Sequence, residues 1–325
     1  MKTLAVKFLS AAGLPAVSRR HHRGKLAILM YHGVEAEPLT PHCSYVVAAA
    51  ALRRQLRYLK RHFHVLALEE ALGRLRDGTL PDRAVTLTFD DGTRNLATQA
   101  APILRELRLP AAVFLATGPM GTDEALWPDR LWLAFATTQE TSVDLSKLGL
   151  GTGFLRNDAE RGEVCGAVVE RLKGLPDDER IAWVESIACA LAAAPDTTAF
   201  QLLSWDEARA VAGDGLVTLH PHTVTHPILA QCSDEKVEYE ISESCAAIAR
   251  ETNCVPTIFA YPNGRTQDFD DRARAVLHRR GIRWALATNF GFAVRDSDPF
   301  ALPRIGIGSN LSFARFRLLV SGTFK

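Results

Sequence analysis

The sequence predicts an α/β fold in which parallel strands are joined by crossover helices and interrupted by one helical insertion. Three observations carry this. Short apolar runs of strand length alternate with amphipathic stretches of helical period along most of the chain. The motifs richest in acids and histidines each follow a strand-like run, where the loops of such folds gather functional groups. Between residues 122 and 200 the rhythm stops and only helical periodicity remains.

In chain order, Leu26–Tyr31 is a continuous apolar run, the mark of a strand buried on both faces. Ala48–His62 places Leu52, Leu56 and Leu59 on one helical face. His64–Leu68 reads as a short strand and Glu69–Arg76 as a helix. Val85–Phe89 is the strand that leads into an acid pair. Leu96–Leu107 is helical in period despite Pro102, and Ala111–Ala116 is the next strand. Helical segments at Trp127–Thr138, Asp158–Lys173 and Asp177–Ala194, without a clear strand, make up an insertion after the third or fourth strand. It either borders the substrate groove or is a packing appendage. Then follow helix 204–212, strand 215–219, helix 233–251, strand 257–260, helix 268–280, strand 283–287 and a last strand near 302–305.

Composition bounds the partners. The 325 residues, 47% of them hydrophobic, supply a full core for one large domain with an insertion. The 38 Lys and Arg balance 37 Asp and Glu, so nucleic acid is not an expected partner. Six scattered cysteines include no C-x-x-C pair, which favours reduced thiols and a cytoplasmic setting. Residues 1–24 form a separate N-terminal segment. Lys7 and Pro15 leave its apolar stretch short for a signal peptide. Residues 1–17 read as an amphipathic helix that packs on the main domain, with peripheral contact to the inner membrane surface as the alternative.

The chemistry concentrates in two places. Val85–Phe89 ends in Asp90-Asp91-Gly92. Adjacent acids at a strand end repel each other and lose hydration, and a fold keeps them mainly where a cation or a reaction needs them. Capping of the helix that starts near Asn95 is the plainer alternative. Far downstream, His222-Thr223-Val224-Thr225-His226 supplies two imidazoles at a spacing that, in a helical turn, places both on one side. One carboxylate and two imidazoles make a three-ligand metal site with room for water. The other carboxylate is then free to move protons. Zinc suits these donors, as do cobalt, nickel and manganese.

Taken together, these motifs resemble the polysaccharide deacetylases, carbohydrate esterase family 4. Thr88-Phe89-Asp90-Asp91-Gly92 is similar to the family's TFDDG box and His222–His226 to its H-[ST]-x-x-H box. Tyr31-His32-Gly33-Val34 looks like a motif of many bacterial members. Pro110–Leu115, Leu203-Ser204-Trp205-Asp206, Phe259–Gly264 and Leu302-Pro303-Arg304-Ile305 fall where further motifs belong. The resemblance implies an irregular (β/α) barrel of about seven strands over residues 25–121 and 201–325, with 122–200 as the insertion. It also implies a metal-dependent hydrolase that removes an N-acetyl group from an amino sugar in a glycan or glycolipid precursor. Asp91, His222 and His226 are then the metal ligands, and Asp90 is the general base that activates the attacking water. The Asn263 N–H is the oxyanion donor.

Two departures from the family pattern shape further expectations. Ala260 stands where relatives carry an arginine that tethers the catalytic acid, so Arg304 is expected to hold Asp90, with Arg265 as second choice. Many members carry a histidine in an L-x-H motif where Arg304 stands, and no histidine follows His278. His32 is therefore the expected general acid, an imidazole's ordinary pKa of about 6.5 suiting that task. The altered motifs also keep in play a catalytically impaired carbohydrate-binding relative, and the same fold and metal would serve an O-acetyl or non-glycan substrate. His220 reads as a neighbour of the site. Trp127, beside Pro128 and Asp129, is the tryptophan expected to touch sugar.

Overall fold

The computed structural model describes residues 24–192 and 196–323. The N-terminal segment expected to form an amphipathic helix lies outside the described residues. Seven parallel strands carry the fold: β1 (Leu26–Tyr31), β2 (Ala84–Phe89), β3 (Ala111–Leu115), β4 (Val217–Pro221), β5 (Ile258–Ala260), β6 (Trp284–Phe290) and β7 (Leu302–Gly306). Their order in the sheet is β5-β6-β7-β1-β2-β3-β4. Strands β4 and β5 lie side by side without a ladder bond, so the (β/α) barrel is nearly closed. His64–Val65 takes the lower half of the β2 edge, below β3.

The helices are α1 (Ala49–His62), α2 (Leu68–Asp77), α3 (Ala101–Leu107), α4 (Trp127–Thr137), α5 (Asp158–Leu172), α6 (Asp177–Ala190), α7 (Trp205–Ala212), α8 (Asp234–Thr252), α9 (Asp271–Arg279) and α10 (Phe313–Val320). The period over 96–107 resolves into a π-helical turn, Leu96–Ala100, followed by α3. Pro102 follows directly after the π-helical turn, at the second position of α3. At α7, Ser204 Oγ accepts from the Glu207 N–H, while the Glu207 carboxylate accepts from the Ser204 N–H. This reciprocal cap fixes where the helix starts.

Parity along the strands decides what faces the barrel axis. Leu26 and Ile28 of β1 pack inward with Ala84, Phe114 and Leu302. Leu29 and Tyr31 face the outer helices together with Val85, Leu87 and Phe89. On β2 the inward parity runs Ala84, Thr86, Thr88, so Asp90 arrives inside the rim. On β7 it runs Leu302, Arg304. The β1–β2 and β1–β7 registers pair Leu29 with both Leu87 and Ile305, which sets Arg304 level with Thr86, one inward position below Thr88.

The insertion follows β3 and has its own core, built from Leu131, Phe135, Val168, Leu172, Val184 and Ile187. Contrary to the expectation of helices alone, it contains an antiparallel hairpin, Ser142–Asp144 with Thr152–Phe154. Three-residue strands are too short to leave a period-2 signal. Helix α10 was also not anticipated; its Phe313 and Phe316 meet the Tyr58 ring of α1 edge-on. Among the described residues, no helix is long and apolar enough to cross a membrane.

Candidate active site

The C-terminal rim of the barrel brings the two motifs together. The β1–β2 pairing continues past the strands, with the Asp90 N–H donating to the Tyr31 carbonyl at 2.9 Å. The chain then turns sharply through Asp91 (φ 72) and Gly92 (φ 79). Asp90 and Asp91 do not cap the following helix. That corner is held by Asn95, whose Oδ1 accepts from the Val34 N–H at 3.0 Å and from Thr93 Oγ1 at 2.8 Å. Asn95 thereby ties the loop that follows His32 to the loop that carries the acids.

The histidine box is not a helical turn. Thr223 (φ 69) and His226 (φ 60) are left-handed, and the segment is a bend. It is strapped to the β3 end by three backbone bonds: His222 N–H to Leu115 O at 2.9 Å, Thr117 N–H to Thr223 O at 3.0 Å and Gly118 N–H to Val224 O at 2.8 Å. A Cβ on Gly118 would lie 2.9 Å from Val224 O, so the approach demands glycine. The N–H groups a helix would have used go instead to Glu240 of α8. Its Oε2 accepts from the Val224 and Thr225 amides, both at 2.8 Å, and its Oε1 accepts from Thr225 Oγ1 at 2.6 Å. Burial pushes the Glu240 carboxyl above its ordinary range, against these bonds.

Asp91, His222 and His226 converge, each offering one ligand atom within 4.8 Å of the others, and all three are buried. His222 Nε2 and His226 Nε2 stand 3.5 and 3.3 Å from Asp91 Oδ1. At these separations Asp91 Oδ1 has no formed hydrogen bond, and His226 Nδ1 also lacks a partner. A buried carboxylate oxygen left this way is costly, and a cation among the three donors removes the cost. His222 Nδ1 donates to the Ala260 carbonyl at 2.7 Å, which fixes the tautomer that leaves Nε2 facing Asp91. The same bond spans the open seam between β4 and β5. Burial, opposed by Asp91, pushes the His226 imidazole down toward the neutral form a metal requires. Burial would raise Asp91, but the two imidazoles outweigh it and hold the carboxyl well below its usual range.

Asp90 is gripped by Arg304, as anticipated. Nη1 and Nη2 donate to Oδ1 and Oδ2, both at 2.7 Å, and Nε donates to the Ala287 carbonyl at 2.9 Å. Arg304 is completely buried. Burial raises the Asp90 carboxyl, but the Arg304 charge, with help from His222 and the Arg304 bonds, brings it below its ordinary value. The second choice, Arg265, has a different partner: it donates to Glu170 of α5 at 2.9 and 3.1 Å.

His32 and Asn263 line the same cavity as the acids and the two imidazoles. Asn263 is left-handed (φ 58), and its carbonyl accepts from Thr288 Oγ1 at 2.6 Å. Its backbone N–H and buried Nδ2 find no acceptor among the described residues. His220 lies apart from the cluster. It shares a 2.9 Å hydrogen bond with Thr218 Oγ1, and burial lowers its pKa to about 4. Trp127 is not a sugar platform. It is buried, its Nε1 donates to the His226 carbonyl at 3.1 Å, and the Arg180 guanidinium lies 5.3 Å from its ring centroid.

The cavity has a volume of about 480 Å³, and the insertion forms part of its wall through α4 and α5. Two residues there gave no advance signal: Asp129 of α4 and Tyr45, whose hydroxyl donates to Asp129 Oδ1 at 2.7 Å. Burial, then the charge of Asp91, pushes the Asp129 carboxyl well above the usual carboxylate range.

A nearly closed barrel with an acid pair and two imidazoles on its rim is the arrangement of a polysaccharide deacetylase. The chain belongs to the polysaccharide deacetylase family, whose profile matches residues 77–285. That span includes Asp90, Asp91, His222, His226 and Asn263, while His32 and Arg304 lie outside it. The poly-β-1,6-N-acetyl-D-glucosamine N-deacetylase of Staphylococcus aureus (strain MSSA476) is 33% identical over 81 residues, 25% of this chain and 28% of that protein. The enzyme of the same name from Staphylococcus epidermidis is 28% identical over 115 residues, 32% of this chain and 40% of the relative. The chain thus covers well under half the length of these curated relatives. The fold is shared more widely. Streptococcus pyogenes deacetylase PplD, solved with acetate, aligns over 91% of this chain and 98% of its own, with a TM-score of 0.60 at 20% identity. IcaB from Ammonifex degensii aligns over 91% and 97%, with a TM-score of 0.59 at 16% identity.

Proposed function

We propose that this protein is a divalent-metal-dependent hydrolase that removes an N-acetyl group from an amino sugar in a glycan or glycolipid precursor. The observation that carries the proposal is the convergence of buried Asp91, His222 and His226 beside an Asp90 held by Arg304. A divalent cation at the three donors, zinc or else cobalt, nickel or manganese, supplies Lewis acidity toward water and the acetyl carbonyl.

The chain's own groups divide the remaining work. Asp90, ionised because Arg304 outweighs its burial, takes a proton from the attacking water. The free Asn263 N–H donates to the oxygen that gains negative charge as the carbonyl becomes tetrahedral. His32 gives a proton to the departing nitrogen, the C–N bond breaks, and acetate and a free amine leave. Unpaired cysteines accord with a cytoplasmic place for the protein, and with precursors as substrates. Acetate release from oligomers of β-1,6-linked N-acetylglucosamine, the polymer named for the staphylococcal relatives, tests the proposal. No acetate from these or other N-acetylated glycans with metal supplied would refute it.

Two expected outcomes follow from the assignments. Substituting Arg304→Gln removes the charge that offsets burial, so the Asp90 carboxyl rises and the acid limb of kcat/KM moves to higher pH. Breaking a buried pair also lowers the unfolding free energy by about 3–5 kcal/mol. A pH profile and a urea melt check both, and an unmoved acid limb would remove Arg304 from this role. Changing His32→Ala is expected to leave metal content intact and abolish the basic limb of the kcat profile. Should that limb persist at near wild-type rate, the proton comes from another group, and Asp90 acting as both base and acid becomes the better account.

A further inference from the structure

One wall of the cavity holds a polar atom that none of these roles uses. Asp129, in the first turn of α4, is 3% exposed. Tyr45 occupies its Oδ1, while Oδ2 has no partner among the described residues and is not sealed off. Asp129 lines the cavity shared with Asp90, Asp91 and His32. Helix α5 adds an independent observation. Gly162 and Gly166, one turn apart, both line the cavity. A Cβ built on either meets nothing within 4 Å, so packing does not explain them. Each glycine costs the helix about 1 kcal/mol relative to alanine. What they provide is open space on the cavity side.

We propose that the insertion is the substrate-recognition wall: Asp129 Oδ2 hydrogen-bonds a ring hydroxyl of the acetylated sugar, and the glycine face of α5 receives the sugar joined to it. This rests on the deacetylase reading above. A hydroxyl suits Oδ2 in either protonation state, donating to the ionised oxygen or accepting from the protonated one. A carboxylate ligand would add its charge to those of Asp90 and Asp91. The cavity volume falls in the range of small-ligand sites.

Two variants test the wall. Values of kcat/KM are measured on a β-1,6-linked N-acetylglucosamine trimer and on 4-nitrophenyl acetate, which has no sugar hydroxyl for Asp129 and no second sugar for α5. The readout is the ratio of the two. Asp129→Ala is expected to lower that ratio about 10–100-fold, chiefly through KM for the trimer. Gly166→Leu should lower it too, with a Tm no lower than wild type, because leucine is the better helix former. The wall is refuted if Asp129→Ala lowers both substrates equally, or neither, or if Gly166→Leu accepts the trimer as wild type does. If metal-loaded wild type hydrolyses the aryl ester but no N-acetylated glycan, the deacetylase reading itself falls and takes the wall with it.

Discussion

Replacing Asp90 with asparagine is expected to leave the metal in place and lower kcat by roughly 10²–10⁴, the usual worth of a positioned base. The separation of these two effects is the informative part. Asp90 is outside the set of three converging donors, and both its oxygens are committed to Arg304. An asparagine at this position keeps the shape and one acceptor, but cannot take a proton from water. It also faces the guanidinium with an NH₂ group, so some loss of stability accompanies the loss of rate. Steady-state kinetics beside elemental analysis of the same preparation checks the prediction. Near-full kcat in the variant would move the base elsewhere on the rim.

Substituting His222→Ala should do the opposite and remove metal and activity together. Loss of an outer partner of a metal ligand costs roughly 10–100-fold in affinity, and loss of a ligand costs more. His222 also donates to Ala260 across the seam between β4 and β5, so its removal loosens the barrel where no ladder bond closes it. Equilibrium dialysis followed by elemental analysis decides the matter. Equal metal content in wild type and variant would exclude His222 from the metal site.

How far the sequence reached can be traced through particular residues. The Asp90–Arg304 pair was legible through the departure at Ala260, which left Asp90 in need of another cation close to the rim. Strand parity is the physical reason the choice works: Thr88 and Asp90 share a parity on β2, and Leu302 and Arg304 share one on β7, which brings the two side chains to one face. That Asp91, His222 and His226 would meet was legible because each motif closes a strand at the same rim of the barrel. The conformation of the histidine box was not. A spacing of four read as helical because the competitor for its amides, Glu240, lies on another element and carries no motif of its own. Its only trace is a place on the buried face of α8, between Val237 and Ile241. Asn95 and Asp129 stayed hidden likewise. Their partners Val34 and Tyr45 are 61 and 84 residues distant, and an acid in the first turn of a helix is unremarkable by itself. The insertion illustrates the same limit at larger scale. Its helices showed in the period, whereas its place beside the cavity depends on contacts such as Trp127 with His226, which only the assembled fold reveals.

The account rests on a cation at Asp91, His222 and His226, and reconstitution addresses it most directly. Protein stripped of metal by a chelator, with removal verified by elemental analysis, is titrated with zinc while acetate release from the β-1,6-linked N-acetylglucosamine trimer is followed. The expected result is no release at the start, a linear rise with added metal and a plateau at one ion per chain, with the Asp91→Ala variant flat throughout. Undiminished acetate release from the verified metal-free protein would contradict the account.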